Sequence, residues 1–195
     1  LPETPARREH APPPRLVDWL PRIPGRVMDL GMRLGVTRIG MRRMGAEELA
    51  GVAWDSEAAR RYGGRYDEAA TWPAEPRPLF DTVTLQAGGL PVDLEAAVAW
   101  CYASLVEGGT ALLALPVDSL ATAGVAPRAD GIEPWLEPQG FLLQRLGGPL
   151  GDGSLVVVAR KRTRRLREVV RAWHTRMQLD YVDVPALLER IPPGW

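Results

Sequence analysis

Few residue types in this 195-residue chain could do chemistry on their own. The one cysteine, Cys101, sits in the helical run VAWCYASL and reads as a small core residue, with no second thiol for an internal disulfide. His10 and His174 lie far from each other and from Cys101, so the spacing offers neither a metal cluster nor a Ser-His-Asp or Cys-His arrangement. No catalytic residue can be assigned on these grounds. The grouping with an informative spacing is basic: Arg160 to Arg176 holds eight basic residues against Glu168 alone. Within it Leu166, Val169, Val170, Trp173 and Met177 recur at helical intervals as one apolar stripe, and Arg162, Arg164, Arg165, Arg167, Arg171 and Arg176 fill the remaining positions. Two readings stay open. Such a helix packs on its own domain with a solvated basic face, or it docks a partner protein, an anionic membrane surface or nucleic acid. In the second reading the contact residues are Arg162, Arg164, Arg165, Leu166, Arg167, Val170 and Trp173.

Composition bounds the rest. The chain is long enough for one α/β domain with a real core, and 46% hydrophobic with 25% charged residues is ordinary for a globular protein. No apolar run approaches the roughly 20 residues of a membrane span. Residues 1–15 form a flexible lead-in rich in Pro and Arg, without the apolar stretch of a secretory leader, so a cytoplasmic protein is expected. The formal net charge is zero, yet the charge is sorted. Residues 7–43 hold nine arginines, and residues 67–152 hold twelve acids against Arg77, Arg128 and Arg145. Positive potential at the chain ends is a feature that partners could use.

The elements that must position any site follow from periodicity and punctuation. Residues 16–20 form a short apolar turn or helix, and RVMDLG at 26–31 is a buried strand. Residues 36–44 read as a helix with Val36, Ile39 and Met44 to one side and Gly45 as its stop. A second strand over 49–54 is followed by Asp55, the N-cap of a helix in SEAARRY. Residues 63–79 are loop with room for one short strand near 69–72. FDTVTL at 80–85 is a strand, 94–105 a helix, and Gly108–Gly109 turn the chain into the strand TALLAL. Residues 117–134 read as irregular, and strands at 141–146 and 154–159 close the pattern as an antiparallel pair. Alternating helices and continuously apolar strands predict an α/β fold, a mostly parallel sheet with helices on both faces and a terminal antiparallel hairpin.

That order, with the wording RVMDLGMRLGVTRIGMRRMGA, FDTVTL, LVEGGTALLALP, GFLLQRL and LVVVARK, resembles the class I S-adenosylmethionine-dependent methyltransferases over residues 16–161. The resemblance implies a Rossmann-like methyltransferase domain over that span, with the basic helix and tail of 162–195 added to it. It also implies a cofactor site. In the family the loop after the first strand reads acid-x-Gly-x-Gly-x-Gly, and the glycines let the backbone approach the cofactor. Asp29, Gly31 and Gly35 match that pattern, whereas Arg33 replaces the middle glycine. The family's acid at the end of the second strand, an acceptor for both ribose hydroxyls, aligns with Ala53, and Asp55 lies two residues on. Asp67 and Glu68 read as a solvated turn, with the loop that flanks the adenine in this family as the alternative, and Gln86 follows the strand where the family places substrate-facing polar groups.

Two functions follow as expectations. One is a methyltransferase-like protein with a degenerate cofactor motif that has lost catalysis and serves as a scaffold or accessory subunit, joined to a protein partner or to another copy of itself. The alternative is an active enzyme that uses S-adenosylmethionine on a small molecule, protein or RNA.

Overall fold

The structure, a computed structural model, describes residues 15–163 except Gly89 and Pro91. His10, His174 and most of the expected basic helix, with Arg164, Arg165, Leu166, Arg167, Val170 and Trp173, lie outside the described residues. Arg162 is described and exposed. The chain divides into two units, Leu1–Lys161 and Arg162–Trp195, and the sheet lies wholly in the first.

Seven strands build that sheet: β1 (Gly25–Leu30), β2 (Ala46–Ala53), β3 (Glu68–Thr71), β4 (Phe80–Gln86), β5 (Leu105–Leu115), β6 (Phe141–Gly147) and β7 (Leu155–Lys161). Their order is β3-β2-β1-β4-β5-β7-β6. All pairings from β3 to β5 are parallel, and β7 runs antiparallel to both β5 and β6. The strand order reverses direction between β1 and β4, and such a switch point opens a crevice at the carboxyl ends of the two strands.

Each strand sends alternate residues to opposite faces. From β1, Met28 and Leu30 join one apolar cluster, and Val27 joins the other. From β5, Leu113 and Leu115 go to the first, and Leu112 and Ala114 to the second. The first cluster is closed by α3 (Leu94–Ser104), α4 (Val117–Thr122) and α5 (Ala129–Leu136). The second is closed by a 3-10 turn (Leu16–Trp19), by α1 (Arg38–Arg43) and by the Ala58, Ala59 and Tyr62 side of α2 (Ser56–Tyr62). Helices therefore cover both faces, as the sequence predicts. No helix joins β3 to β4: residues 72–79 cross back over β2 and β1 as a Pro-rich loop, where a parallel crossover usually uses a helix. Trp72 and Ala74 of this loop pack on the first cluster. Trp72 lies 5.3 Å from the Trp54 ring and 6.0 Å from the Trp100 ring. Among the described residues no helix is long and apolar enough to cross a membrane.

Three local expectations are corrected. The helix expected over 36–44 starts later, because the Thr37 side chain caps it by accepting from the Gly40 amide at 3.2 Å. That phase turns Met41 into the core, wholly buried, and leaves Ile39 62% and Met44 41% exposed. Gly108 and Gly109 are not a turn but lie inside β5, where the register against β4 shifts between Phe80 and Thr82. A Cβ at Gly109 would meet the Asp81 carbonyl at 3.1 Å, so the glycine lets the bulged strand pass close to its neighbour. Residues 117–134 are irregular only over 123–128: Leu120 and Ile132 are fully buried in α4 and in α5, which continues to the buried Leu136.

Cys101 takes its expected place in the core of α3, with no exposed surface. Burial pushes its thiol well above the ordinary range, because nothing around it replaces the hydration of a thiolate. The native protein should therefore resist a water-soluble disulfide reagent, reacting only at the rate of opening. Stoichiometric labelling within seconds in the absence of denaturant would contradict this burial.

Candidate functional site

The carboxyl ends of β1, β2 and β4 surround the loop Gly31–Gly35. Gly31 has φ 95° and Gly35 φ 76°, both in the region that favours glycine. A Cβ at Gly31 would lie 2.7 Å from the Trp54 indole nitrogen, so sterics as well as φ exclude a side chain there. Met32 shares the left-handed conformation at φ 54°, which costs a residue with a side chain about 1–2 kcal/mol. Its side chain is buried, with its terminal carbon near Gly51 and beside the Tyr66 ring.

Asp29 holds this loop from beneath. Its carboxylate is 1% exposed. Oδ2 accepts from the Leu34 amide at 2.9 Å and the Tyr66 hydroxyl at 2.6 Å, and Oδ1 accepts from the Thr84 hydroxyl at 2.9 Å. The Arg33 amide adds a further bond. Burial raises the Asp29 carboxyl above its usual range, against the opposing pull of the Tyr66, Leu34, Thr84 and Arg33 donors. The Tyr66 hydroxyl is raised too, first by burial and then by the carboxylate beside it.

Of the residues the sequence points to, Gly31, Arg33, Gly35 and Asp55 line one cleft of about 430 Å³. Asp29 lies behind the loop, not on the cleft wall. Ala53, 0% exposed, is part of the second apolar cluster and does not face the cleft. Asp55 is an N-cap, its Oδ1 accepting from the Ala58 amide at 2.7 Å. The Arg33 guanidinium donates to the Gly88 carbonyl just beyond β4. Gln86, at the end of β4, lines the same space. An adjoining space of about 310 Å³ shares Arg33, Gly35 and Gln86 and extends to Arg15, Leu150 and Asp152. Asp67 and Glu68 stay outside: Asp67 accepts from the Leu49 amide at 2.9 Å and pairs with Arg42 at 3.3 Å, and Glu68 pairs with Arg77 at 2.8 Å.

Sequence reasoning missed Tyr62, Arg65, Tyr66 and Trp54. Tyr62 and Arg65 reach the cleft from the last turn of α2 and the 3-10 turn after it, and the Arg65 guanidinium lies 5.1 Å from the centre of the Tyr62 ring. The Trp54 indole nitrogen is buried and has no hydrogen-bond partner among the described residues. An aromatic residue after an apolar strand end was the available signal for Trp54, and nothing local marks Tyr66 as the partner of Asp29.

The Asp29 network yields a signed prediction. Replacement by alanine strips the Leu34 amide and the Tyr66 and Thr84 hydroxyls of their acceptor and should cost about 3 kcal/mol or more. The folded-state pKa of Asp29 lies above the unfolded value of about 3.9. The stability that the neutral form contributes is thus complete below that value and is lost as pH rises through the folded pKa. Asp29→Asn, uncharged throughout, should therefore gain on the wild type in urea unfolding as pH is raised from about 4 to about 8. A pH-independent difference between the two would refute the assignment.

No family model and no curated protein sequence matches the chain. Solved structures do. An S-adenosylmethionine-dependent methyltransferase from Mesorhizobium loti superposes with TM-score 0.53 at 17% identity, over 74% of this chain and 95% of that one. A TehB-like S-adenosylmethionine-dependent methyltransferase from Corynebacterium glutamicum gives TM-score 0.51 at 16% identity, over 76% and 85%. The complex between the Haloferax volcanii Trm112 methyltransferase activator and a candidate methyltransferase gives TM-score 0.57 at 14% identity, over 77% and 88%. With seven strands in the order β3-β2-β1-β4-β5-β7-β6 and a crevice at the β1/β4 switch point, the chain has the fold of the class I S-adenosylmethionine-dependent methyltransferases.

Proposed function

We propose that this is a cytoplasmic methyltransferase-fold protein that has lost methyl transfer and acts as a scaffold or accessory subunit, through a protein partner or a second copy of itself. The observation that carries this reading is Arg33, which lines the cleft and whose guanidinium donates to the Gly88 carbonyl. S-adenosylmethionine bears a positive sulfonium, and a like charge about 4 Å away costs about 1–4 kcal/mol between bulk water and a protein surface. Ala53 supports the same conclusion, since a buried methyl group cannot replace an acid that accepts from two hydroxyls, a loss of about 1.5–3 kcal/mol. The residues present do not fit this cofactor.

An interaction role has its own support at the opposite end of the sheet. Ile23, Met44 and Leu79 come just before β1, β2 and β4, and Leu142 is the second residue of β6, which runs in the same direction as they do. All four are large, apolar and at least 40% exposed. The basic apolar-striped segment with Arg162, Arg164, Arg165, Leu166, Arg167, Val170 and Trp173 is a second contact surface on sequence grounds, for a protein first and for nucleic acid or an anionic membrane second. The Haloferax volcanii complex, in which a candidate methyltransferase is bound to an activator protein, supports a protein partner for this fold.

The alternative, an active enzyme using S-adenosylmethionine, draws support from the persistence of the cleft and of the Asp29 anchor. Calorimetry with S-adenosylmethionine and S-adenosylhomocysteine separates the two. The expected result is no saturable heat, with affinity appearing or rising at least tenfold in Arg33→Gly. A micromolar dissociation constant for the native chain, about −8 kcal/mol, would overturn the proposal.

A further inference from the structure

We infer that the cleft beside Gly31–Gly35 binds a phosphorylated small molecule, with Arg33 and Arg65 holding its phosphoryl group from two sides. The inference rests on the reading that S-adenosylmethionine is not the ligand, and it goes further by naming the chemistry that is.

Arg15, Arg26, Arg42, Arg77 and Arg128 each pair with a carboxylate at 2.7–3.4 Å. Among the described residues Arg22, Arg33, Arg38, Arg43, Arg60, Arg61, Arg65, Arg145 and Arg160 form no ion pair with a carboxylate, and of these Arg33 and Arg65 line one concavity of about 430 Å³. Both are nonetheless held in place. Arg33 spends one donor on the Gly88 carbonyl, and Arg65 lies against the Tyr62 ring. A guanidinium offers five N–H donors in a rigid fork that suits phosphate oxygens, and pre-positioned forks lose less freedom on binding. Two unpaired cations in a recess focus positive potential toward a small anion.

The remaining lining is consistent with such a guest. Gly31 leaves the floor without a side chain, and the partnerless Trp54 indole nitrogen lies beside it. The opposing charge on this wall is Asp55, which is engaged on the Ala58 amide. The volume falls in the range of small-ligand sites, roughly 300–1,000 Å³. A phosphoryl group is favoured over a lone carboxylate because three terminal oxygens can meet two forks at once.

The test is calorimetry on the full chain with ADP, inorganic pyrophosphate, adenosine and S-adenosylmethionine as probes. ADP is expected to bind, pyrophosphate to compete with it, and adenosine to be silent. Because charged hydrogen bonds are at stake, Arg33→Met and Arg65→Met should each raise the ADP dissociation constant about tenfold or more. Both residues are exposed, so the thermal midpoint should not move, and Arg128→Met, which alters an arginine outside the cleft, should leave ADP binding unchanged. Pyrophosphate binding as tightly as ADP supports the proposal and marks the phosphoryl group as the whole recognised part. Adenosine binding as tightly as ADP overturns it, and so does ADP binding that ignores both substitutions. Silence from ADP, pyrophosphate and S-adenosylmethionine together would refute this inference while leaving the proposed function intact. Micromolar binding of S-adenosylmethionine would instead overturn the proposed function.

Discussion

A carboxylate taken out of water needs a replacement for water, and Asp29 draws its replacement from three separate stretches of the chain. The loop supplies the Arg33 and Leu34 amides, the segment after α2 supplies Tyr66, and β4 supplies Thr84. One side chain thereby ties the end of β1 to its neighbouring strand and to the connection that leads into β3. It also sets the loop: with Leu34 drawn down onto the carboxylate, the chain between must turn tightly, and Gly31 and Met32 adopt positive φ. This anchor works from behind the cleft. It maintains the loop's shape whatever occupies the space in front, so the fold can keep the loop while its ligand chemistry changes.

In front of the loop, the change is one of charge. Arg33 and Arg65 both line the crevice, so two cations border it. The Arg33 guanidinium is held by the Gly88 carbonyl beyond β4, with the sheet order unaltered around it. The cationic cleft takes Arg33 from the arginine-rich stretch 7–43 and Arg65 from beyond it, so it depends on the fold as well as on where arginines cluster along the chain.

Strand positions were legible in the sequence because strands covered on both faces are written as continuous apolar runs such as TALLAL and LVVV. The Asp55 cap was legible for a similar reason, since its partner is three residues away. Errors arose where the deciding interaction was subtle or distant. The face of α1 was misread because six residues make fewer than two turns, and the Thr37 cap alone fixes which of Ile39 and Met41 turns inward. Gly108 and Gly109 were read as a turn because a bulge against β4 depends on register, which the local sequence does not encode. At the site, the motif residues were found and their neighbours were not. Tyr66 lies 37 residues from Asp29 and Thr84 lies 55, and only the strand order brings them together. Ala53 was correctly placed at the end of β2, but its inward orientation follows from the strand's pleat.

The Pro-rich crossover between β3 and β4 has an optical consequence. It inserts Trp72 between Trp54 on the cleft wall and Trp100 on α3, giving three indoles in sequence with centroid separations of 5.3 and 6.0 Å. At such spacings excitation passes readily from ring to ring, so the three emit as a coupled group. The outermost member borders the cleft. A guest that quenches Trp54 therefore also dims emission that begins with light absorbed at Trp72 and Trp100.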